Sequence, residues 1–167
     1  MDDTTAIAQI AMGDMEALTW LYKAHRLNIY RLAFMMTKHA TYTEDITQDV
    51  FLTVVEKAHT YKKNISVKAW LLKITRNKTL NFLKSQSRNI SLDEILPNKS
   101  IVSDNHNFEF LDILKCLSLT SRQIVLFHIV YELNHKEISR ILNISHNAVR
   151  KQYERALTTL KIDIEKG

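Results

Sequence analysis

The stretch Asn134-His-Lys-Glu137-Ile-Ser-Arg-Ile-Leu142-Asn-Ile-Ser145-His-Asn-Ala-Val149-Arg-Lys-Gln-Tyr153-Glu-Arg-Ala156 decides the fold. Asn134 and Glu137 have capping-box spacing and open a short helix over His135–Leu142. Asn143 then stands where a tight turn wants a left-handed residue, a conformation that Asn tolerates better than any other non-glycine. Ser145 is a natural N-cap for a second, longer helix running to about Ile164. Ile138, Leu142, Ile144 and Val149 supply the apolar contacts that lock two helices at a steep angle, the pattern of a helix-turn-helix.

At 100° per residue the longer helix separates into two faces. Val149, Tyr153, Ala156, Leu157 and Leu160 form the packing side, while Asn147, Arg150, Lys151, Glu154, Arg155 and Thr158 form a polar arc. Such an arc suits the major groove: Arg pairs with guanine, Asn with adenine, and Lys with phosphate or guanine. Ser145 at the cap leaves the helix N-terminus facing a phosphate. The plain alternative is an amphipathic bundle helix with a solvated charged face.

Outward from this motif the chain reads as all-α. Gly occurs twice and Pro once in 167 residues, too little turn chemistry for a many-stranded sheet. Helices are predicted over Thr4–Met12 (ended by Gly13), Asp14–Met36, Thr41–Ala58, Val67–Ser85 and Ile124–Tyr131. Thr41 with Glu44, and Thr120 with Gln123, have capping-box spacing. From residue 86 to 106 the periodicity fails and Ser, Asn, Asp and Pro97 dominate. The expected organisation is two small helical modules, 1–88 and 107–167, joined by a flexible linker over 89–106.

Charge is polarised along the chain. Residues 1–56 carry four cations and eight acids, whereas Lys57 to Leu92 holds nine cations and no acid. On the helix from Thr41, Asp45, Asp49, Leu52 and Glu56 follow an i, i+4, i+7, i+11 stripe, with Ile46, Val50, Phe51, Val54 and Val55 on the buried side. An acidic stripe repels DNA and suits a basic protein surface; a merely solvated face is the alternative. On the helix Val67–Ser85, Lys73, Asn77, Asn81 and Lys84 share an arc with Trp70 at its edge. Cations hold phosphates, amides bond base edges and rings stack on unpaired bases, so the set fits an opened strand. Trp70 is equally at home in a core.

Other classes are disfavoured. Cys116 is the sole cysteine, in an apolar run that favours a buried, inert thiol, so neither an internal disulfide nor a cysteine zinc site is available. The seven histidines form no HxxxH or HExxH pair, and no Gly-rich phosphate loop occurs. A metal-dependent nuclease built on Asp45 and Asp49 is therefore a poor reading, and neither cofactor nor metal is expected. Met1-Asp2-Asp3 lacks a signal-peptide pattern and no apolar run spans a membrane. A cytoplasmic protein, with no further domain after residue 167, is expected.

Three segments in this order carry a family resemblance. Glu44-Asp-Ile-Thr-Gln-Asp-Val-Phe51 and Ala69-Trp-Leu-Leu-Lys-Ile-Thr-Arg-Asn77 resemble region 2 of the extracytoplasmic-function (group IV) sigma factors of the sigma-70 family. Leu119-Thr-Ser-Arg-Gln123, Lys136 to Ser145, Val149-Arg-Lys and Arg155-Ala156 resemble region 4. The resemblance implies a non-enzymatic protein that binds core RNA polymerase and promoter DNA, with an anti-sigma protein as a further expected partner. It implies polymerase docking through Asp45, Gln48, Asp49, Phe51 and Leu52. Melting and holding of the minus-ten element would fall to Tyr61, Lys62, Lys63, Asn64, Trp70, Lys73, Arg76, Asn77 and Lys84. Reading of the minus-thirty-five element would fall to Ser145, Asn147, Arg150, Lys151, Glu154 and Arg155. Asn81, Lys84, Ala148 and Asn143 stand where the family commonly has Asp, Arg, Thr and Gly, departures that bear on promoter preference. A helix-turn-helix regulator binding an operator alone is the rival reading; such a protein has no use for an acidic docking helix followed by a base-capturing one.

Overall fold

The computed structural model describes residues 1–89 and 112–167, which are helical and contain no strand. The chain divides into two compact units, Met1–Ser100 and Ile101–Gly167. The expected linker 89–106 lies outside the described residues except for Asn89, which closes the last helix of unit 1.

Unit 1 is built from α1 (Asp3–Ala11), α2 (Met15–Thr37), α3 (Ala40–Lys57) and α4 (Val67–Asn89), with a 3-10 turn at Ala58–Thr60. Each start is set by a side chain that satisfies free backbone N–H groups. Asp2 accepts from Thr5 N at 2.9 Å, and Asp14 accepts from Glu16 N at 2.8 Å and Ala17 N at 3.2 Å. Gly13 (φ +92°) makes the reversal between α1 and α2. Helix α3 begins one residue before the sequence expectation, and its cap is His39, whose Nδ1 accepts from Tyr42 N. The Thr41–Glu44 capping box therefore does not form, because Thr41 already lies inside the helix.

The core of unit 1 joins Ile7, Leu21, Ile29, Val50, Phe51, Val54, Val67 and Leu71. Threonines are buried beside it without penalty. Thr47, Thr53, Thr75 and Thr79 each donate to the carbonyl four residues back at 2.7–2.9 Å, so their hydroxyls are satisfied within their own helices. Thr37 and Thr43 bond each other at 2.8 Å. His25, also buried, meets Asp3 at 2.9 Å and ties α1 to α2.

Unit 2 contains a 3-10 turn (Leu114–Cys116), α5 (Leu119–Val125), a π turn (Leu126–Val130), α6 (His135–Leu142) and α7 (His146–Lys166). The capping box expected at Thr120–Gln123 is replaced by Ser118, whose hydroxyl accepts from Ser121 N at 3.2 Å. Gln123 is 1% exposed and belongs to the interior. Cys116, expected to be buried, is exposed: the 3-10 turn sends Leu114 and Leu117 into the core and Cys116 outward.

The helix-turn-helix is built as its caps dictate. Asn134 accepts from Glu137 N at 2.9 Å while Glu137 accepts from Asn134 N at 3.3 Å. Asn143 takes the left-handed conformation (φ 54°), and Ser145 accepts from Ala148 N at 3.0 Å to open α7. Val149, Ala156 and Leu160 are buried, with Tyr153 packed beside them. Leu157, placed on the packing side by the wheel, is 39% exposed.

Candidate polymerase and promoter interfaces

The acidic stripe of α3 is on the surface: Asp45, Asp49, Leu52 and Glu56 are all exposed, as is Gln48. Phe51 is not. It is 6% exposed and its ring lies 4.9 Å from that of Tyr22, inside the core. Its assignment to the docking contact is corrected accordingly: one residue along a helix turns the side chain by about 100°, so Phe51 and Leu52 face different environments. Val55, expected on the buried side, is 41% exposed and widens the apolar part of this face.

Helix α2 contributes to the same surface, a contribution that periodicity alone missed. Tyr22, Arg26, Leu27 and Tyr30 line a shallow concavity of about 380 Å³ with Glu44, Thr47 and Gln48 of α3. Arg26 stacks over the Tyr22 ring at 5.7 Å. Burial and then the Glu44 carboxylate push the Tyr30 phenol up, keeping it protonated. Helical spacing alone reads Tyr22 as a core residue with Leu18, Leu21 and Ile29 of α2, yet it is 37% exposed. The signal against that reading is Arg26 four residues on, which places a charge on the same helical face.

The segment between α3 and α4 is held by Tyr61, whose hydroxyl donates to the Ile65 carbonyl at 2.7 Å. Its ring packs on Trp70 at 5.3 Å, and both rings lie against the core, half-buried. These two side chains thus frame the loop, leaving Lys62, Lys63 and Asn64 fully outside. Ser66 caps α4 through Ala69 N at 3.1 Å. Along α4, Asn77 and Lys84 are exposed, while Lys73 and Arg76 are half-buried. Burial also lowers the affinity of Arg76 for its proton, though a guanidinium remains charged.

On α7, Ser145, Asn147, Arg150, Lys151, Glu154 and Arg155 are all exposed. Arg150 is held in place before any ligand arrives: its Nη2 donates to Asn147 Oδ1 at 2.9 Å and its Nη1 lies 3.7 Å from Glu154 Oε1. Such support reduces the freedom that a flexible side chain loses on binding. Among the described residues, no cluster of His, Cys, Asp and Glu is arranged to hold a metal ion, and no helix is long and apolar enough to cross a membrane.

Residues 21–89 match the family described as Sigma-70 region 2, and residues 107–160 match Sigma-70, region 4. The chain is similar to the ECF RNA polymerase sigma factor SigX of Bacillus subtilis (strain 168), 23% identical over 164 residues, covering 90% of this chain and 84% of that one. The ECF RNA polymerase sigma factor SigM of the same organism is 26% identical over 155 residues, covering 88% and 94%. Among solved structures, the fold is similar to that of CnrH in complex with the cytosolic domain of CnrY (TM-score 0.76, 20% identity, 98% of this chain and 97% of that chain). It is also similar to the sigma factor RpoE in complex with the anti-sigma factor NepR from Bartonella quintana (TM-score 0.71, 17% identity, 88% and 96%). Regions 2 and 4, in that order, take in most of the chain, and the chain belongs to the sigma-70 family in its extracytoplasmic-function group: it is an RNA polymerase sigma factor, which directs promoter-specific transcription.

Proposed function

We propose that the two units divide promoter opening between them, with module limits at 1–88, 89–106 and 107–167. Asp45, Gln48, Asp49 and Leu52 dock core RNA polymerase, with Phe51 supporting them from the core. Lys62, Lys63, Asn64, Lys73, Arg76, Asn77 and Lys84 hold the opened minus-ten element, and Tyr61 and Trp70 shape the loop that meets the flipped bases. Ser145, Asn147, Arg150, Lys151, Glu154 and Arg155 contact the minus-thirty-five duplex. The protein acts by binding and positioning, performs no chemistry of its own, and works in the cytoplasm. One similar fold was solved with the cytosolic domain of CnrY and another with the anti-sigma factor NepR, and an anti-sigma protein is the expected antagonist here.

The observation that supports this division best is the separation of charge by element. The acidic stripe lies on α3, the basic arc on α4, and the braced Arg150 on α7. A protein surface and a polyanion make opposite demands, and each face meets one of them.

Run-off transcription with core polymerase on a library of randomised promoters tests the reading and yields the specificity together. Discrete promoters bearing paired upstream and downstream elements are expected, with weak binding to duplex DNA by the protein alone. Tight operator binding without polymerase, and no transcription with it, would establish the rival regulator instead.

A further inference from the structure

Three imidazoles meet where the helix-turn-helix closes, and none is among the residues assigned above to the promoter. His128 comes from the π turn, His135 opens α6 and His146 opens α7. The His128 and His135 ring centres are 4.8 Å apart, and those of His135 and His146 are 6.0 Å apart. Tyr153 of α7, itself packed on the core, meets His128 at 4.7 Å and His135 at 5.3 Å, both edge-on. The His135 ring therefore sits at the junction of the π turn, α6 and α7.

The surroundings of that ring are poor in negative charge. The π turn presents His128; α7 presents His146, Arg150, Tyr153 and a single carboxylate, Glu154. Glu154 is drawn toward Arg150, at 3.7 Å. On its own helix His135 is followed by Lys136 and by Glu137, whose carboxylate is turned to the Asn134 N–H at 3.3 Å. The Nε2 atom of His135 is buried and has no hydrogen-bond partner. A proton there would create an unmatched buried donor, and the first-turn position adds the positive end of the α6 dipole.

We propose that the His128–His135–His146 cluster is an acid-sensitive latch: neutral, it holds α6 against α7, and a single proton on His135 loosens the helix that contacts the promoter. The contact with promoter DNA rests on the reading of α7 given above; the latch itself does not. Its direction follows from linkage. Burial first, then the charges of His128 and His146, holds His135 below its ordinary value of 6.5. The unfolded chain thus binds the proton more readily than the folded one. The stability His135 contributes is complete above 6.5 and is lost as pH falls from there through the depressed folded value.

Amide hydrogen exchange on the full chain, corrected for intrinsic rates and read helix by helix, tests the latch between about pH 7.5 and about pH 5.5. Protection in α6 and α7 is expected to fall about three- to tenfold more than in α2. In His135→Gln the excess should shrink to about twofold or less. Imidazole resonances of the unmutated protein give a second readout that needs no variant, with one ring expected to titrate below the ordinary histidine range. Equal loss of protection in α2 and α7, an undiminished response in His135→Gln, or no ring titrating low would each overturn the proposal. A failed transcription assay at neutral pH would instead strike at the promoter-contact reading.

Discussion

Asp49 Oδ2 accepts from Lys78 Nζ at 2.7 Å, joining the acidic face of α3 to the basic helix α4 across 29 residues of sequence. Lys78 keeps 27% of its side-chain exposure and Asp49 keeps 55%, so the pair is solvent-screened and adds about 0.2–1 kcal/mol to stability. Its importance is positional. The Asp49 carboxylate, second in the acidic stripe of α3, is held against α4, so the acidic and basic faces of unit 1 meet at this bond.

Exchanging the charges separates the two roles of Asp49. Asp49→Lys alone should leave the fold within about 1 kcal/mol and abolish polymerase association, since it reverses a surface charge. Asp49→Lys with Lys78→Asp restores the bridge but should not restore association. Thermal unfolding and a pull-down with core polymerase read the two outcomes. Wild-type association by the double variant would make Asp49 a structural residue only.

Neighbouring positions on α3 should behave oppositely. Phe51→Ala empties a packed site and is expected to cost about 3–5 kcal/mol. Leu52 is 64% exposed, and Leu52→Asp should change stability by about 0.5 kcal/mol or less while weakening polymerase binding. Chemical denaturation together with binding to core polymerase distinguishes them. A stable, binding-deficient Phe51→Ala would return that ring to the docking contact.

Arg150→Ala should cost about 1–3 kcal/mol in affinity for the upstream promoter element, with unchanged unfolding. Asn147→Ala removes the acceptor that braces the guanidinium and should cost less than Arg150→Ala does. Holoenzyme binding to promoter fragments altered base by base checks both. Uniform weakening across all sequences would assign Arg150 to phosphate rather than to a base.

The turn of the helix-turn-helix carries a non-glycine residue at φ 54°. Asn143→Ala should destabilise unit 2 by about 1 kcal/mol, whereas Asn143→Gly should leave it equal or more stable. Circular dichroism melts of the full chain decide the sign. Equal melts for the two variants would mean that the backbone relaxes away from this conformation.

Local chemistry was legible wherever a residue acts on its own backbone. Asn134 with Glu137, Asn143, Ser145 and Gly13 were readable from residue type and spacing, because caps and left-handed turns are satisfied within a few positions. The same logic failed at Thr41 and Thr120, where His39 and Ser118 sit nearer the true helix starts and take the role first. The family resemblance, too, was carried by short motifs in a fixed order.

Which side of a helix is covered depends on partners distant in sequence, and there the chain alone misdirects. Phe51 lies inside, as its helical spacing indicates, with the Tyr22 ring of α2 against it, whereas Val55 and Leu157, placed on packing sides by the same spacing, are left uncovered. The Asp49–Lys78 bond, the α2 contribution to the concavity and the meeting of His128, His135 and His146 likewise join residues from different helices. Helix period and capping are properties of a segment, so they are written in its residues. Contact between segments depends on how several helices pack at once, and only the folded chain decides it.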